Sequence, residues 1–413
     1  MDHGAPDLWP LLKQVTGFIF PNEIELHWNL LIVIYPYITG LVAGAFILAS
    51  LVKVLNVKEV QPVYRLSLLT ALAFLIVAPL PLIAHLSHPE RSLEMFLTPS
   101  TSSAMAMFGF IYIWYLMAVL LLEIWFGDRK ELILRAEKGR GLKRVFFRIL
   151  SLYSKDISPR ALAFDKKAVY VITVIGIPSA FLLHGYVGFI FGSVKANPWW
   201  SSVLMPIVFL FSAIVSGIAL MLLLYMIITL FSHRKLDMVC LDKLASFLFY
   251  MMLVDFSLEG LDFIQRVYQS EESIKILGEL ISQRLFISLI VIQLLLGMLF
   301  PLISLSAARI FRFSPEFKRL IYFVSAVLVQ FGIFATRWNV VIGGQLFSKS
   351  FRGLTVYKIG IGGMEGLLVS LSFLVLPFMI LYILAKIFPP WEEAYAPSIK
   401  THHRSPTTYH GAP

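Results

Sequence analysis

Long apolar runs constrain this chain more than any other feature of its sequence. The 413 residues are 58% hydrophobic and only 15% charged, and the apolar residues gather in nine runs. A run of roughly 18 apolar residues is long enough to cross a bilayer as a helix. Since no water is available in the bilayer core, each span must satisfy its own backbone hydrogen bonds. The sequence therefore predicts an all-α, polytopic integral membrane protein with about nine spans (range eight to ten). The predicted spans are residues 28–52, 66–86, 104–126, 168–194, 203–231, 244–264, 285–306, 317–336 and 365–388.

Positive charge is distributed unevenly between the connecting segments. Most of the 35 lysine and arginine residues lie in one alternate set of segments, and residues 128–167 alone hold twelve. Cytoplasmic loops are enriched in these residues, and anionic headgroups attract them. We therefore expect a multi-pass protein of the cytoplasmic membrane with its N-terminus outside and a flexible cytoplasmic tail at residues 389–413. The net charge of +10 is then a topology signal, and no nucleic-acid partner is expected.

Residues 1–388 are expected to form one transmembrane domain with a faint internal repeat. Predicted helix 1 contains GLVAGAFILAS, and helix 5, which runs in the same direction, contains SAIVSGIALML. Small residues at such spacing allow helices to approach closely. The pattern is typical of two related four-helix bundles plus an extra helix, although packing alone would also produce it.

The single cysteine, Cys240, limits the cofactors that the chain can hold. Iron–sulfur clusters are normally held by several thiolates, and covalent c-type haem requires a CxxCH motif. Neither arrangement is possible with one cysteine. We therefore expect no iron–sulfur cluster, and no metal site is predicted.

Polar and aromatic side chains concentrate at the outer ends of the predicted helices. Taken singly, Trp28 and Arg337 also fit the aromatic and cationic belt of any membrane protein, and His85 fits a hydrogen bond to a neighbouring carbonyl. Taken together, however, the predicted helix ends bring histidines, a phenol and carboxylates to one membrane face. The residues placed at this face are Glu23, His27, Trp28, His85, His88, Glu90, Arg91, His184, Tyr186 and Arg337.

This combination suits a quinone, which is a flat apolar ring with two carbonyl oxygens that gain protons on reduction. Histidine titrates near neutrality and can exchange those protons, and a tyrosine hydroxyl can donate to a carbonyl while staying protonated at pH 7. We expect Tyr186 to bind one oxygen and His27 the other. The predicted quinone-binding residues are His27, Trp28, His85, His184, Tyr186 and Arg337.

Predicted helix 6 carries three acids on one face. Asp255, Glu259 and Asp262 follow at spacings of four and three residues, and an ionised acid near the bilayer centre costs roughly 2.5–3.5 kcal/mol. Such a stripe is not expected to face lipid, so we interpret it as a proton path. The alternative is structural, with Asp262 paired to Arg266. Glu123 is expected at the inner interface.

Three segments resemble one family of membrane proteins. HLSHPERSLEMFLTPSTSSAMAMFGF and HGYVGFIFG resemble segments of the NrfD/PsrC family, whose helix 2–3 segment typically carries an H-x-x-x-P-E/D-R run. TRWNVVIGGQLFSKS resembles the longer HybB/DsrP branch, to which DsrP and HmeB belong. The resemblance covers essentially the whole chain.

The resemblance implies a subunit without haem or cluster that binds menaquinone or menaquinol as its substrate. It implies electron exchange with a ferredoxin-like iron–sulfur subunit on the outer face. It also implies further membrane and cytochrome or Hdr-like subunits, as in the DsrMKJOP and Hdr-like menaquinol oxidoreductase complexes. His27 and Tyr186 match the family's catalytic positions. Glu23, one turn before His27 and where some relatives have an amide, is the third predicted catalytic residue. His88, Glu90 and Arg91 would then lie in the loop that meets the iron–sulfur partner.

Three other functions remain open at this point. A haem-b-binding membrane anchor would need paired histidines, for which His85 with His184 is the one tempting pair. A secondary transporter would use the acids of helix 6 as a site at the membrane midplane. A non-catalytic anchor would hold redox partners without a quinone of its own.

Overall fold

The computed structural model describes residues 12–269 and 273–390, and most of this part of the chain is helical. It contains nine long helices, in the order predicted from the apolar runs. Their bounds are α1 Leu30–Lys53, α2 Lys58–His85, α3 Ala106–Lys138, α4 Pro159–Gly192, α5 Met205–Phe231, α6 Met238–Gln269, α7 Ile274–Ile310, α8 Pro315–Gln345 and α9 Leu367–Ile387. The predicted tail at 391–413 lies outside the described residues.

The winding of several helices is not uniform. A 3₁₀ turn, Lys58–Val63, opens α2, and its last six residues, Leu80–His85, form a separate piece. Parts of α3 and α7, Tyr115–Leu121 and Ile281–Leu299, are wound as π-helix. The last three residues of α8, Gly343–Gln345, are 3₁₀. Irregular winding of this kind is frequent near functional sites.

Eight of the nine helices in the described part of the chain are long and apolar enough to cross a bilayer. The ninth helix, α6, has 32 residues and carries Asp255, Glu259, Asp262 and Arg266 among apolar side chains. Asp255, Asp262 and Arg266 of α6 are nevertheless buried, so they face neighbouring helices. This arrangement avoids the cost of exposing charge to lipid.

Helix α1 lies at the centre of the molecule. In the most apolar stretch of α1, 89% of the residues are buried, against 17% in α9, which lies at the periphery. At the crossing of α1 with α5, a Cβ on Gly217 would stand 2.4 Å from the Cα of Gly44, so only two glycines fit there. These glycines belong to the two segments that suggested an internal repeat. Their small size allows the close approach.

Capping residues move several helix ends away from the predicted positions. Asn29 accepts a hydrogen bond from Leu31 N, and α1 therefore begins at Leu30. Ser158 with Pro159 starts α4 nine residues before the expected position, because the hydroxyl caps the helix and proline suits its first turn. The predicted loop 128–167 is accordingly largely helical, since α3 continues to Lys138 and a short helix, Leu142–Leu150, follows.

The connections at the end of the bundle where α1 begins are partly ordered by backbone pairing. Strand β1, Thr16–Gly17, pairs antiparallel with β2, Gly353–Leu354. The α2–α3 connection contains a 3₁₀ turn, Pro89–Arg91, and a four-residue helix, Glu94–Leu97. The segment before α1 is thereby held against the segment after α8.

Candidate functional site

Glu23 and His27 lie in the segment before α1, not on the helix itself. Glu23 ends a 3₁₀ turn, Pro21–Glu23, because Asn29 delays the start of α1. Its carboxylate accepts hydrogen bonds from Ser348 Oγ at 2.5 Å and from Lys349 N at 3.2 Å. In this structure Glu23 therefore holds the segment before α1 against the segment after α8.

A glutamine strengthens the same connection. Gln345 Oε1 accepts from Trp28 N at 3.0 Å, and its Nε2 donates to Trp28 O at 3.1 Å. Leu30 N donates to the hydroxyl of Tyr357 at 3.0 Å, and Thr355 Oγ1 donates to Ile24 O at 2.9 Å. The backbone on both sides of His27 is fixed by these bonds.

Aromatic rings join the start of α1 to the end of α4. Trp28 packs edge-on against Phe191, with centroids 5.6 Å apart, and stacks on Trp200 at 5.2 Å. His27 is exposed and Tyr186 is half-buried. No hydrogen bond joins these two side chains, or engages either of them, within the described residues. The structure brings them to the same end of the bundle and leaves both polar groups accessible.

His85 and the loop that follows it are also at this end. His85 Nδ1 lies 2.8 Å from Glu365 Oε1 and 3.3 Å from Asn29 Nδ2. His88 pairs with Glu90 at 3.1 Å, and Arg91 with Glu94 at 3.1 Å. His88, Glu90 and Arg91 are exposed, with 63–69% of each side chain accessible. They are available to a partner.

His184 and Arg337 are buried in the core and not at the outer surface where the sequence placed them. Arg337 is fully buried because α8 continues to Gln345, well past the predicted end at 336. Its Nη2 donates to Ser212 Oγ at 2.6 Å and lies 3.2 Å from His184 Nε2. The guanidinium lies 4.1 Å above the ring of Phe209.

These contacts indicate which ring nitrogen of the histidine carries its proton. Because an arginine N–H can only donate, His184 Nε2 accepts, and the ring proton is on Nδ1. Nδ1 lies 3.3 Å from Thr39 Oγ1, which donates to Tyr35 O at 3.0 Å. Both ring nitrogens of His184 are therefore occupied. This does not fit haem ligation by His85 with His184.

Two acids of α6 face this buried arginine. Asp255 is fully buried and, within the described residues, neither of its oxygens has a hydrogen-bond partner; the same holds for Arg337 Nε and Nη1 and for Glu259 Oε1. The other Glu259 oxygen accepts from Gln293 Nε2 at 3.0 Å. Arg337 interacts electrostatically with both acids. Buried polar atoms without partners indicate a place where a ligand, proton or water acts.

The third acid, Asp262, is ion-paired. Arg266 Nε donates to Asp262 Oδ2 at 2.8 Å, and Ser202 Oγ donates to the other oxygen. Arg266 also donates to Trp199 O. The structural alternative raised for this residue is thus present, and the proton path through Asp262 stays a prediction.

A cavity of about 250 Å³ lies between α5, α6, α7 and α8. Glu259, Asp262 and Arg266 line it together with mostly apolar side chains. Phe209 is also part of its wall, and the same ring stacks on His184 with centroids 5.8 Å apart. One aromatic ring thus separates the cavity from the buried histidine.

The sequence did not indicate several polar side chains that lie near Glu259. Gln293 accepts from Asn339 Nδ2 at 2.8 Å, and Ser288 Oγ donates to Asn339 Oδ1 at 2.6 Å. A single amide within the apolar run of α7 was the available signal. Glu123, which was expected at the inner interface, is fully buried between helices, and one of its oxygens accepts from Thr173 Oγ1 at 2.9 Å.

A family model described as Polysulphide reductase, NrfD, matches residues 21–349. The chain belongs to the NrfD family. The match begins at the 3₁₀ turn that carries Glu23 and ends after α8. It therefore includes His27, Tyr186 and the buried residues around Arg337. It leaves out α9 and Glu365, the partner of His85. An NrfD chain with these spans is a multi-pass protein of the cytoplasmic membrane.

Three curated proteins are similar in sequence to this chain. A selenate reductase subunit of Mesobacillus selenatarsenatis is 32% identical over 334 residues, covering 79% of this chain and 76% of that protein. A putative dimethyl sulfoxide reductase membrane subunit of Halobacterium salinarum is 27% identical over 227 residues (52% and 48%). Protein NrfD of Escherichia coli is 26% identical over 215 residues (51% and 63%). The first two are named as parts of reductases, which supports a redox role for this chain.

Proposed function

We propose that this chain is the quinone-reactive membrane subunit of a respiratory complex. It oxidises menaquinol, or reduces menaquinone in the reverse direction, and exchanges electrons with an iron–sulfur subunit on the outer face. Membership of the NrfD family and similarity to reductase subunits support this proposal. One cysteine cannot hold a cluster, so the electrons pass to a partner.

One observation carries the proposal. The outer ends of α1 and α4 pack together through Trp28 and Phe191. This contact supports a site that His27 and Tyr186 share at one end of the bundle, beside aromatic rings. A quinone ring would lie against the aromatic side chains while its isoprenoid tail stays in the bilayer.

The roles of the residues follow from their chemistry. Tyr186, with no hydrogen-bond partner among the described residues, donates its hydroxyl to one quinone oxygen. His27 accepts a proton from the other oxygen of the quinol and releases it to outer water. The second proton leaves the oxygen that Tyr186 binds and passes to outer water, so two protons leave the quinol while two electrons pass to the partner's nearest cluster. Glu23 keeps His27 in position through Ser348.

The partner's docking surface includes the loop with His88, Glu90 and Arg91, whose charged groups are exposed. The TRWNVVIGGQLFSKS segment supports a DsrP-like or HmeB-like branch, with further subunits of the DsrMKJOP or Hdr-like type. Two residues of this segment, Gln345 and Ser348, form hydrogen bonds with the chain before α1 and hold it in place.

The acids of α6 are proposed to carry protons. Asp255 and Glu259 have oxygens without partners, and Glu259 borders a cavity with room for several waters. Asp255→Asn should lower turnover and proton release of the complex in liposomes. Unchanged values for both would remove Asp255 from the path.

Quinol binding tests the main proposal directly. The purified protein with its partner subunit is titrated with a menaquinol analogue, and quenching of tryptophan fluorescence is followed. Tyr186→Phe removes one hydrogen bond and should weaken binding by about tenfold, since such a bond contributes about 1–1.5 kcal/mol. Tyr170→Phe is the matched control, because it makes the same change at an exposed position of the same helix.

The outcomes separate two functions. Saturable quenching that weakens in Tyr186→Phe and not in Tyr170→Phe supports the outer site. Absence of saturable quenching in every form would contradict the proposal and favour a non-catalytic anchor.

A further inference from the structure

A second pocket lies at the end of α5 that is opposite to the aromatic rings of Trp28, Phe191 and Trp200. It has a volume of about 540 Å³ and is formed by the end of α5, the α5–α6 connection and the start of α8. The lining residues are Met226, Ile227, Thr229, Leu230, Arg234, Lys235, Leu236, Arg319 and Phe323. None of them belongs to the quinone site or to the proposed proton path.

The pocket combines an apolar wall with three cations. Leu230 and Phe323 are exposed on the membrane-facing surface, with 73% and 38% of their area accessible. Arg234, Lys235 and Arg319 line the same pocket, after the end of α5 and near the start of α8. No carboxylate is among the residues that line the pocket. The nearby acid Asp237 is engaged in capping α6 through Val239 N at 2.9 Å.

A buried polar atom also points to a ligand. Thr229 lines the pocket and is only 2% exposed, yet its hydroxyl has no hydrogen-bond partner within the described residues. A buried hydroxyl without a partner is unfavourable by about 1–3 kcal/mol. A ligand oxygen in the pocket would satisfy it.

We propose that this pocket binds an anionic phospholipid. The acyl chains lie along Leu230 and Phe323, the phosphate is held by Lys235 and Arg319 together with Arg234, and Thr229 donates to a phosphate or ester oxygen. Basic pockets between membrane helices are suited to acidic headgroups because apolar and charged contacts are made together. The site does not depend on the proposed quinone function.

Native mass spectrometry of the full-length protein in a zwitterionic detergent tests this proposal. The probe is dioleoylphosphatidylglycerol, and the comparison ligands are dioleoylphosphatidylcholine and inorganic phosphate. The double variant Lys235→Gln/Arg319→Gln should lower affinity for the anionic lipid by about 25-fold, or about fivefold for each cation. The control Lys143→Gln/Arg144→Gln removes two exposed cations outside the pocket and should leave the affinity unchanged.

Further variants keep the test decisive if the double variant fails to fold. Lys235→Gln alone changes an exposed residue, and Thr229→Val keeps the shape of the side chain. Each should still weaken binding several-fold. Equal losses in pocket and control variants would show general headgroup attraction and overturn the site. Binding of inorganic phosphate as tight as that of the lipid would make it a site for soluble phosphate and overturn the lipid.

Discussion

At the scale of single residues, Arg337 organises the buried centre. Its planar guanidinium contacts Ser212 and His184 with one nitrogen while its face lies over Phe209. A lysine is a point charge and could not make this combination. Asp255 and Glu259 interact electrostatically with the same guanidinium, so its removal takes a neighbouring cation from two buried acids.

We therefore expect Arg337→Gln to be strongly destabilising, by about 3–5 kcal/mol, as when one partner of a buried charge group is lost. Thermal unfolding of the detergent-solubilised protein measures the loss. Combining it with Asp255→Asn should restore part of the stability, because the two changes act on one interaction.

Arg309→Gln serves as the control for that experiment. Arg309 donates to the Tyr250 hydroxyl at an exposed position, so its replacement should change stability by no more than about 0.5 kcal/mol. Similar losses for Arg309→Gln and Arg337→Gln would contradict the organising role of Arg337.

At the scale of helices, close packing depends on pairs of glycines. Gly44 and Gly217 meet where α1 crosses α5, and Gly297 and Gly332 meet where α7 crosses α8. Each pair lets two backbones touch, which is a main source of helix association in lipid. The two crossings hold α1, α5, α7 and α8 around the buried polar centre.

Gly217→Ala should separate α1 from α5. The added Cβ would lie 2.4 Å from backbone atoms of Gly44, which cannot move aside as a side chain does. The expected cost is about 1–3 kcal/mol, as in other overpacked cores, and it is read as a lower thermal midpoint.

The matched control is Gly127→Ala on α3, where an added Cβ meets nothing within 4 Å. Alanine is the better helix former there, so stability should stay equal or rise by up to about 1 kcal/mol. A Gly217→Ala protein as stable as the Gly127→Ala protein would show that the α1–α5 contact is not tight.

At the scale of the whole molecule, charge gives the chain its direction in the membrane. The connection between α2 and α3 carries His88, Glu90 and Arg91, whereas the connection between α3 and α4 is rich in lysine and arginine. The latter side is expected in the cytoplasm. In this orientation the proposed quinone site would lie outside and the proposed lipid site inside.

Cysteine labelling tests the orientation. The native Cys240 is fully buried, so it should give little background with a membrane-impermeant maleimide on intact cells. Leu93→Cys, at a position 69% exposed between α2 and α3, should be labelled. Leu142→Cys, at a position 88% exposed between α3 and α4, should react only after the cells are lysed. The reverse pattern would invert the topology and move the proposed quinone site to the cytoplasmic face.

The sequence by itself determined the membrane class, the order of the helices and the close contact of small residues. Each of these follows from local composition, because a span needs only length and apolarity. The sequence also resembles the NrfD family, to which the chain belongs. The predicted helix ends differ from the observed ones, because Asn29 and Ser158 cap their helices through hydrogen bonds that a hydropathy pattern does not contain.

The depth and partners of the polar residues were decided only by the tertiary structure. Arg337 and His184 were placed at the outer end, yet both are buried. Helix α8 continues beyond Arg337 to Gln345, and side chains of α1 and α5 pack around the pair. The pairing of hydrogen-bond donors with acceptors depends on how segments that are distant in sequence pack together, as with Glu23 and Ser348. Burial and pairing are properties of the packed bundle, and no single segment encodes them.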